Sequence, residues 1–586
     1  MSDTQRTKKL INDPDDVIAE LIEGMTGAHP DLLRVADDDG RALVAQDGPC
    51  EGKVGIVIGG GSGHEPLFSG YVGRGLADAA AIGNVFASPS PRQIADAARA
   101  VDRGAGVVFL YGNYTGDVMN FDMAAELLAS DGIDVRSVQV HDDVASAPRT
   151  ARIERRGIAG DIFVFKVAGA IADRGGALDE VERMAQAADA ATASMGVALD
   201  ACSLPQTRRP NFEIGPTEIE IGMGIHGEPG IERIELETAD RVADRLLEPV
   251  LADLDIGSSD NVAVMVNGLG ATSMMELYIM HRHVRRRLSK RGVAIHRSWV
   301  GNYATSLDMA GASVTLMRLD EALQAALDHP CRTPALTIGV APAPRTRSAS
   351  HTAHRTATQE TPSALRQGLI AEGPLTPVVF RHLMETCAAH VSAEADTLSR
   401  LDGAVGDGDH GVTMQAGWGA IRDRLAQMDA DATISDMTRA MADAFLDSVG
   451  ATAGPLYASG FLEAAKAVDD RLNLDAPATA RWIGGVAAGI RARGGAAPGD
   501  KTMVDAWHPA AVAAEATADQ GGSVADTLLA AARAAAEGRA RTEKMEPRRG
   551  RAAKLGRRAV GHADPGATSA ALVLLALSEA FRTEVA

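Results

Sequence analysis

The residues most suggestive of chemistry are three aspartates set among glycines. In "LDGAVGDGDHGVT", Leu401 to Thr413, Asp402, Asp407 and Asp409 are separated by four residues and then by one, and the run ends on His410. Asp and Gly are ordinary turn residues, but carboxylates this close repel one another unless a cation stands between them. Their donors are hard oxygens only, which points to Mg²⁺ rather than zinc or copper. Mg²⁺ held by few carboxylates completes its shell with water and phosphate oxygens. The loop therefore predicts a nucleotide.

Three further loops, all earlier in the chain, offer histidines and an acid. "VGIVIGGGSGHEPLFSGYVG", Val54 to Gly73, reads as a buried strand running into Gly59, Gly60, Gly61, Ser62, Gly63 and His64. Consecutive glycines let backbone amides approach a ligand. The dinucleotide fingerprint is excluded, because His64, Glu65 and Pro66 follow where its third glycine belongs. "YGNYTGDVMNF" delivers Asp117 into a second loop, and "IGMGIHGEPGIE" flanks His226 with Gly224 and Gly227. A deprotonated imidazole held in place can add to a carbonyl carbon. Each histidine or aspartate taken alone also reads as an ordinary turn or packed residue.

Late in the chain, "SVGATAGPLYASGF", Ser448 to Phe461, is a Gly-rich loop entering a helix, suited to phosphate on backbone N–H groups. "GGAAPGDKTMVDAW" looks like a P-loop, but Asp500 separates Gly499 from Lys501 and Thr502 and no strand precedes it, so the Walker reading fails. "GRAAKLGRRAVGHADPGATS" offers Arg551 as a cationic partner and Asp564-Pro565-Gly566 as a tight turn before the last helix.

These loops need two kinds of scaffold. The first half alternates short β-branched runs, "VGIVIGG", "AGVVFLYGN", "DIFVFKVAGA" and "NVAVMVNGLG", with helical stretches, which predicts an α/β unit whose strand-end loops carry the chemistry. From Pro342 to Ser363 the chain is rich in Ser, Thr, Ala and Arg without hydrophobic period, as in a linker. Beyond it, "AMADAFLDSV", "ASGFLEAAKAVDDRL", "DTLLAAARAAAEGRARTEKM" and "ATSAALVLLALSEAFRTEV" have helical spacing and predict an all-α unit. The boundaries are set at 8–337, 338–365 and 366–586.

The 586 residues exceed what one core can organise. With 46% apolar and 23% charged residues the chain reads as a globular protein, and a net charge of -20 argues against nucleic acid, whose binding needs clustered Lys and Arg. Phosphate ligands remain compatible, through metal ions and backbone amides. Four scattered cysteines show neither a disulfide framework nor zinc spacing and fit a reducing cytoplasm. The N-terminus lacks the apolar segment of a signal peptide, and no apolar run of about 18 residues is present to span a membrane.

With these residues assembled, the chain resembles the single-chain, ATP-dependent dihydroxyacetone kinases: a substrate-binding K domain, a linker and a nucleotide-binding L domain. "GGGSGHEP", "NYTGD", "GMGIHGEPG", "GDGDHG", "GDKTM" and "GHADPGATS" occur in the family's order. The resemblance implies an α/β K domain of two subdomains and an L domain built as an eight-helix, barrel-like bundle, meeting across a homodimer. It implies that His226 holds a small ketose as a covalent hemiaminal, selecting carbonyl compounds over polyols. His64 and Asp117 would serve the hydroxyl to be phosphorylated, and the amides of Gly61, Ser62, Gly63 and His64 would position the substrate. Asp402, Asp407 and Asp409 would bind two Mg²⁺ ions bridging the phosphates of ATP. Nucleotide contacts would come from His410, Gly411, Val412, Thr413, Thr452, Ala453, Gly494, Met503, Arg551, Asp564, Pro565 and Gly566.

Three positions depart from the family's pattern. Gly112 stands where many members carry a Lys before "NYTGD"; "GNVFASP" replaces "GDVFASP"; and "GATAG", Gly450 to Gly454, replaces "GGTSG". Loss of the Lys is expected to open room beside the substrate, making a four-carbon ketose such as D- or L-erythrulose a candidate beside dihydroxyacetone. Two other readings compete: phosphorylation by a phosphocarrier protein, and a non-catalytic ketose sensor.

Overall fold

The computed structural model describes residues 7–37, 39–339, 373–406, 408–429, 431–469 and 471–583; most of the expected linker 338–365 and Asp407 lie outside them. The first half is built on two six-stranded sheets. One contains β1 (Leu33–Val35), β2 (Ala42–Ala45), β3 (Gly55–Ser62), β4 (Ala79–Val85), β5 (Val107–Gly112) and β6 (Val135–Val140), in the order β1-β2-β4-β3-β5-β6. Its strands β4, β3, β5 and β6 are parallel neighbours, and β1 and β2 add an antiparallel edge. The chain leaves β3 for a neighbour on one side and returns to β5 on the other, so a crevice opens beyond their carboxyl ends, where such sheets bind ligands.

The second sheet contains β7 (Thr192–Ala198), β8 (Glu218–Ile221), β9 (Glu232–Glu235), β10 (Asn261–Gly268), β11 (Ala294–Gly301) and β12 (Gly311–Leu319), in the order β11-β10-β12-β7-β8-β9. Only the β10 and β11 pair is parallel.

The Asp161–Asp173 helix corrects one expectation. "DIFVFKVAGA" reads as a strand but forms this helix, in which residues 161 to 172 are all buried. Its side chains share one core with Ile56 and Leu110 of the first sheet and Met265 and Met317 of the second. A helix covered on every side needs no polar face, so its sequence loses the 3.6-residue period that distinguishes helix from buried strand.

Beyond residue 376 the described residues form nine α-helices, one more than expected: Pro377–Ala393, Ala395–Gly403, His410–Ala426, Ile434–Ser448, Ala453–Val468, Ala476–Gly494, Val504–Asp519, Val524–Thr542 and Pro565–Thr583. The first two are separated only by Glu394, which caps both. Capping boxes at Thr433/Asp436 and Ser523/Asp526 start two of the others. Trp418, Phe445, Tyr457, Phe461 and Trp507 anchor the shared interior.

The two units touch within the single chain. Asn120 donates from Nδ2 to the carbonyls of Pro89 (3.0 Å) and Gly450. Arg92 pairs with Asp447 at 3.4 Å and Arg493 with Glu126 at 3.5 Å around this contact. Gly450 lies so close to the first unit that a Cβ there would stand 1.3 Å from the Ser88 carbonyl oxygen.

Candidate active site

Loops from both sheets converge on two histidines. His64 follows β3, His226 follows β8, and their Nε2 atoms lie 3.0 Å apart. Gly59, Gly60 and Gly61 are strand rather than loop: β3 runs to Ser62 and is buried throughout. A Cβ on Gly60 would strike the Phe68 ring at 2.3 Å, and one on Gly61 the Ala87 nitrogen at 2.7 Å, so this run is glycine because neighbouring groups press on the strand. Gly61 lines the cavity, while the Ser62 hydroxyl donates to the Gly83 carbonyl and the Gly63 N–H to the Glu65 carboxylate.

His64 is fixed by its Nδ1, 2.8 Å from the Thr305 carbonyl, and by stacking on Phe86. Burial, reinforced by the neighbouring His226, lowers its pKa to about 3, so the ring is neutral at physiological pH. His226 is held by Glu228: the carboxylate accepts from the backbone N–H at 3.0 Å and lies 3.1 Å from Nδ1. Asn211 donates to the His226 carbonyl at 2.9 Å, and Tyr114 sets its ring edge-on to the imidazole. Burial pushes the Glu228 carboxyl up, but His226 and Arg156 together outweigh it and hold the group well below the usual carboxylate range. Arg156, itself buried, is paired with Asp143 at 2.6 Å, and its Nη1 lies 3.8 Å from Glu228.

Phe86, Tyr114, Arg156, His226 and Glu228 line a small cavity of about 90 Å³, with Asp117 in the first turn of the Thr115–Ser130 helix; His64 lies behind His226 and is not among the lining residues. Its far wall is the helical unit: Val405, Gly406, Ala451 and Gly550. Gly112 is not among the lining residues. It packs beneath Tyr114, where a Cβ would meet that ring at 3.2 Å and Asp161 at 3.4 Å.

A second cavity, about 180 Å³, lies on the other side of that wall and shares Thr115, Val405, Ala451 and Gly550 with the first. The starts of four helices converge on it: His410 and Thr413, Thr452 and Ala453, Thr502 and Met503, and Asp564, Pro565 and Gly566. Helix N-termini present unpaired N–H groups and partial positive charge, the requirement for a polyphosphate. The Thr115–Ser130 helix points its own start at this place, for a Cβ on Gly116 would lie 3.3 Å from the Thr452 nitrogen.

Several residues expected at the nucleotide are not among those lining this cavity. Gly411 and Val412 occupy the first turn of their helix without lining the cavity, and Gly411 packs against the Ala395 carbonyl. Gly494 ends its helix beside Leu456. The Arg551 side chain lies outside the described parts of the structure. Lys501, discounted as a Walker lysine, lines the cavity but donates to the carbonyls of Ala559 at 2.6 Å and Met545 at 3.2 Å, so its ammonium ties down the loop over the site.

The carboxylates fit a hard cation. Asp402 and Asp409 are buried and line the second cavity, as does Asp564. Asp402 Oδ2 accepts from the N–H groups of Gly408 at 2.9 Å and His410 at 3.3 Å. Burial, with Asp402 and Asp505 nearby, raises the Asp564 pKa to about 7. Without Asp407 the described residues hold no cluster of three or more metal-ligating side chains, but this concentration of oxygen donors suits Mg²⁺.

Fold and site together define a two-unit protein in which a small cavity lined by His226 and Asp117 adjoins a second cavity formed by helix starts. Family models for the Dak1 domain and the DAK2 domain match residues 23–335 and 404–579, and the chain belongs to the single-chain dihydroxyacetone kinase family. It is 39% identical to an L-erythrulose 1-kinase of Mycolicibacterium smegmatis, over 97% of this chain and 99% of the relative. It is 38% identical to a D-erythrulose kinase of the same organism, over 96% and 97%. Among solved structures it is similar to the dihydroxyacetone kinase of C. freundii in complex with AMP-PNP and Mg²⁺, at 32% identity and a TM-score of 0.52, covering 98% of this chain and 99% of that one.

Proposed function

We propose that this chain is an ATP-dependent kinase that phosphorylates a hydroxyl of a small ketose, dihydroxyacetone or a ketotetrose such as D- or L-erythrulose. The observation that carries the reading is the shared wall: the cavity lined by His226 and Asp117, with His64 behind it against His226, adjoins the one formed by four helix starts, with Thr115 in both. A substrate hydroxyl on one side and a terminal phosphate on the other are thereby set for direct transfer, the arrangement phosphoryl transfer needs.

In this reading His226 captures the carbonyl carbon and Asp117 orients the hydroxyl. His64 Nε2 accepts its proton, and being neutral it can do so at any pH above about 3. Asp402, Asp407 and Asp409 would hold two Mg²⁺ ions, which neutralise phosphate charge during transfer. Thr452, Ala453 and the Asp564–Gly566 turn would seat the phosphates. The domain boundaries at 8–337 and 366–586, a cytoplasmic location and a homodimer belong to the same proposal.

Two observations weigh against the competitors. Phosphorylation by a phosphocarrier protein, with the nucleotide held as a permanent cofactor, is disfavoured by the joining of both units in one chain. A sensor has no use for the second cavity. Relatives named for D- and L-erythrulose stand at nearly equal identity, so similarity does not choose the enantiomer. The test is ADP release from MgATP with dihydroxyacetone, each erythrulose and glycerol. Turnover with ketoses and not with glycerol supports the reading; no turnover with any ketose refutes it.

A further inference from the structure

The hydrogen bonds through the paired histidines allow one arrangement of protons. The Thr305 carbonyl can only accept, so His64 Nδ1 carries a hydrogen; being neutral, His64 has a bare Nε2. The Glu228 carboxylate is ionised and can only accept, so His226 Nδ1 also carries a hydrogen. Two bare nitrogens 3.0 Å apart would repel; the contact between the Nε2 atoms therefore needs a proton, and it belongs to His226. Before ketose capture His226 is then an imidazolium, donating to Glu228 on one side and to His64 on the other.

Other charged groups around the ring support this assignment. Glu228 lies on its own loop; Arg156 and Asp143 approach from the segment before the Asp161–Asp173 helix; Tyr114 and Asp117 come from beyond β5, and His64 from beyond β3. Glu228 is the carboxylate bonded to the ring. Asp143 is occupied by Arg156, whose guanidinium accepts no proton.

We propose that Glu228 is the positioning residue of the ketose site, keeping His226 doubly protonated before capture and holding the positive charge on that ring through it. The proposal rests on the reading of His226 as the capturing group. In the step, Nε2 gives up its proton to the bare Nε2 of His64, and the freed electron pair forms the bond to the carbonyl carbon. The carbonyl π pair moves to oxygen, which receives the proton from His64. The N-alkylated ring keeps its Nδ1 hydrogen and its charge, still against Glu228. Net charge and proton count are unchanged, so ketose affinity is nearly independent of pH, unlike that of a neutral imidazole that competes with protons.

Nitrogen-15 NMR of the unliganded full chain tests this, with His226 signals assigned by their loss in His226→Ala. Two protonated ring nitrogens on His226 and one on His64 are expected near neutral pH; one protonated and one bare nitrogen on His226 would overturn the proposal. Equilibrium dialysis of labelled dihydroxyacetone without ATP gives the second readout. Wild-type affinity should change less than about two-fold between about pH 6 and about pH 8. Glu228→Gln should bind about ten-fold more weakly, as expected for loss of a charged hydrogen-bond partner, and its His226 should lose one ring hydrogen. A Glu228→Gln protein with two protonated nitrogens and undiminished affinity contradicts the assignment. If the wild-type chain binds no ketose, the function above fails, and the spectrum of the unliganded ring still decides this proposal.

Discussion

His64 and His226 face each other Nε2 to Nε2 across 3.0 Å, although 162 residues separate them and each hangs from a different sheet. On the proposed function the carbonyl carbon bonds to His226 at this Nε2 atom. His226→Ala is predicted to lower kcat/KM for ketoses by about 100-fold, about 2.7 kcal/mol of transition-state stabilisation, while leaving MgATP binding unchanged. Steady-state kinetics with a nucleotide-binding titration checks it. Equal losses in ketose turnover and nucleotide affinity would instead indicate a structural role for His226.

Gly450 tests the junction between the units. An added methyl would sit 1.3 Å from the Ser88 carbonyl oxygen and force the helical unit away. Gly450→Ala should lower turnover by about ten- to 100-fold, since an ångström of misplacement at a transfer site costs that much. Ketose binding and nucleotide binding, measured separately, should change little. Gly116→Ala, whose added carbon would meet the Thr452 nitrogen at 3.3 Å, should be milder.

The acidic loop gives a third expectation. Asp409→Asn keeps the side chain's size and removes its charge, and should weaken MgATP binding and lower kcat by about 100-fold or more, a magnitude typical of losing one charge-stabilising group. Raising Mg²⁺ concentration should restore part of the affinity, as read by nucleotide titration at several Mg²⁺ levels. A mutant with full turnover at ordinary Mg²⁺ would remove Asp409 from the metal site.

Acid stability follows from His64. Its pKa is about 3 folded against 6.5 as a free side chain, so between these values the unfolded chain binds the extra proton. The stabilisation is complete above about pH 6.5 and falls as pH drops toward 3, by roughly 2 kcal/mol at about pH 5. His64→Gln should flatten this part of the pH dependence in denaturant midpoints of the first half's unfolding. An unchanged acid slope in the variant would show that other groups set it.

The sequence made some of this legible and hid the rest for physical reasons. The acidic loop, both histidine loops and the Asp564–Gly566 turn could be found because Gly, Asp and His sit at spacings that turns and helix starts dictate. The Asp161–Asp173 helix reads as a strand because burial on all sides erases its period. Arg156 and Glu228 went unnoticed: their roles come from meeting across the fold. Glu228, two residues past His226, was the nearest to a readable signal, whereas Arg156 in "RIERRG" gave none. Lys501 had the right type for a phosphate contact, but two backbone carbonyls take its hydrogens.

The central claim is direct transfer from ATP to a captured ketose, and phosphorus NMR of the reaction mixture tests it most directly. With MgATP and L- or D-erythrulose, the account predicts a new sugar-phosphate ester formed in step with ADP, absent with glycerol and nearly absent in His226→Ala. ADP accompanied only by inorganic phosphate, or an ester formed as readily from glycerol, would contradict it.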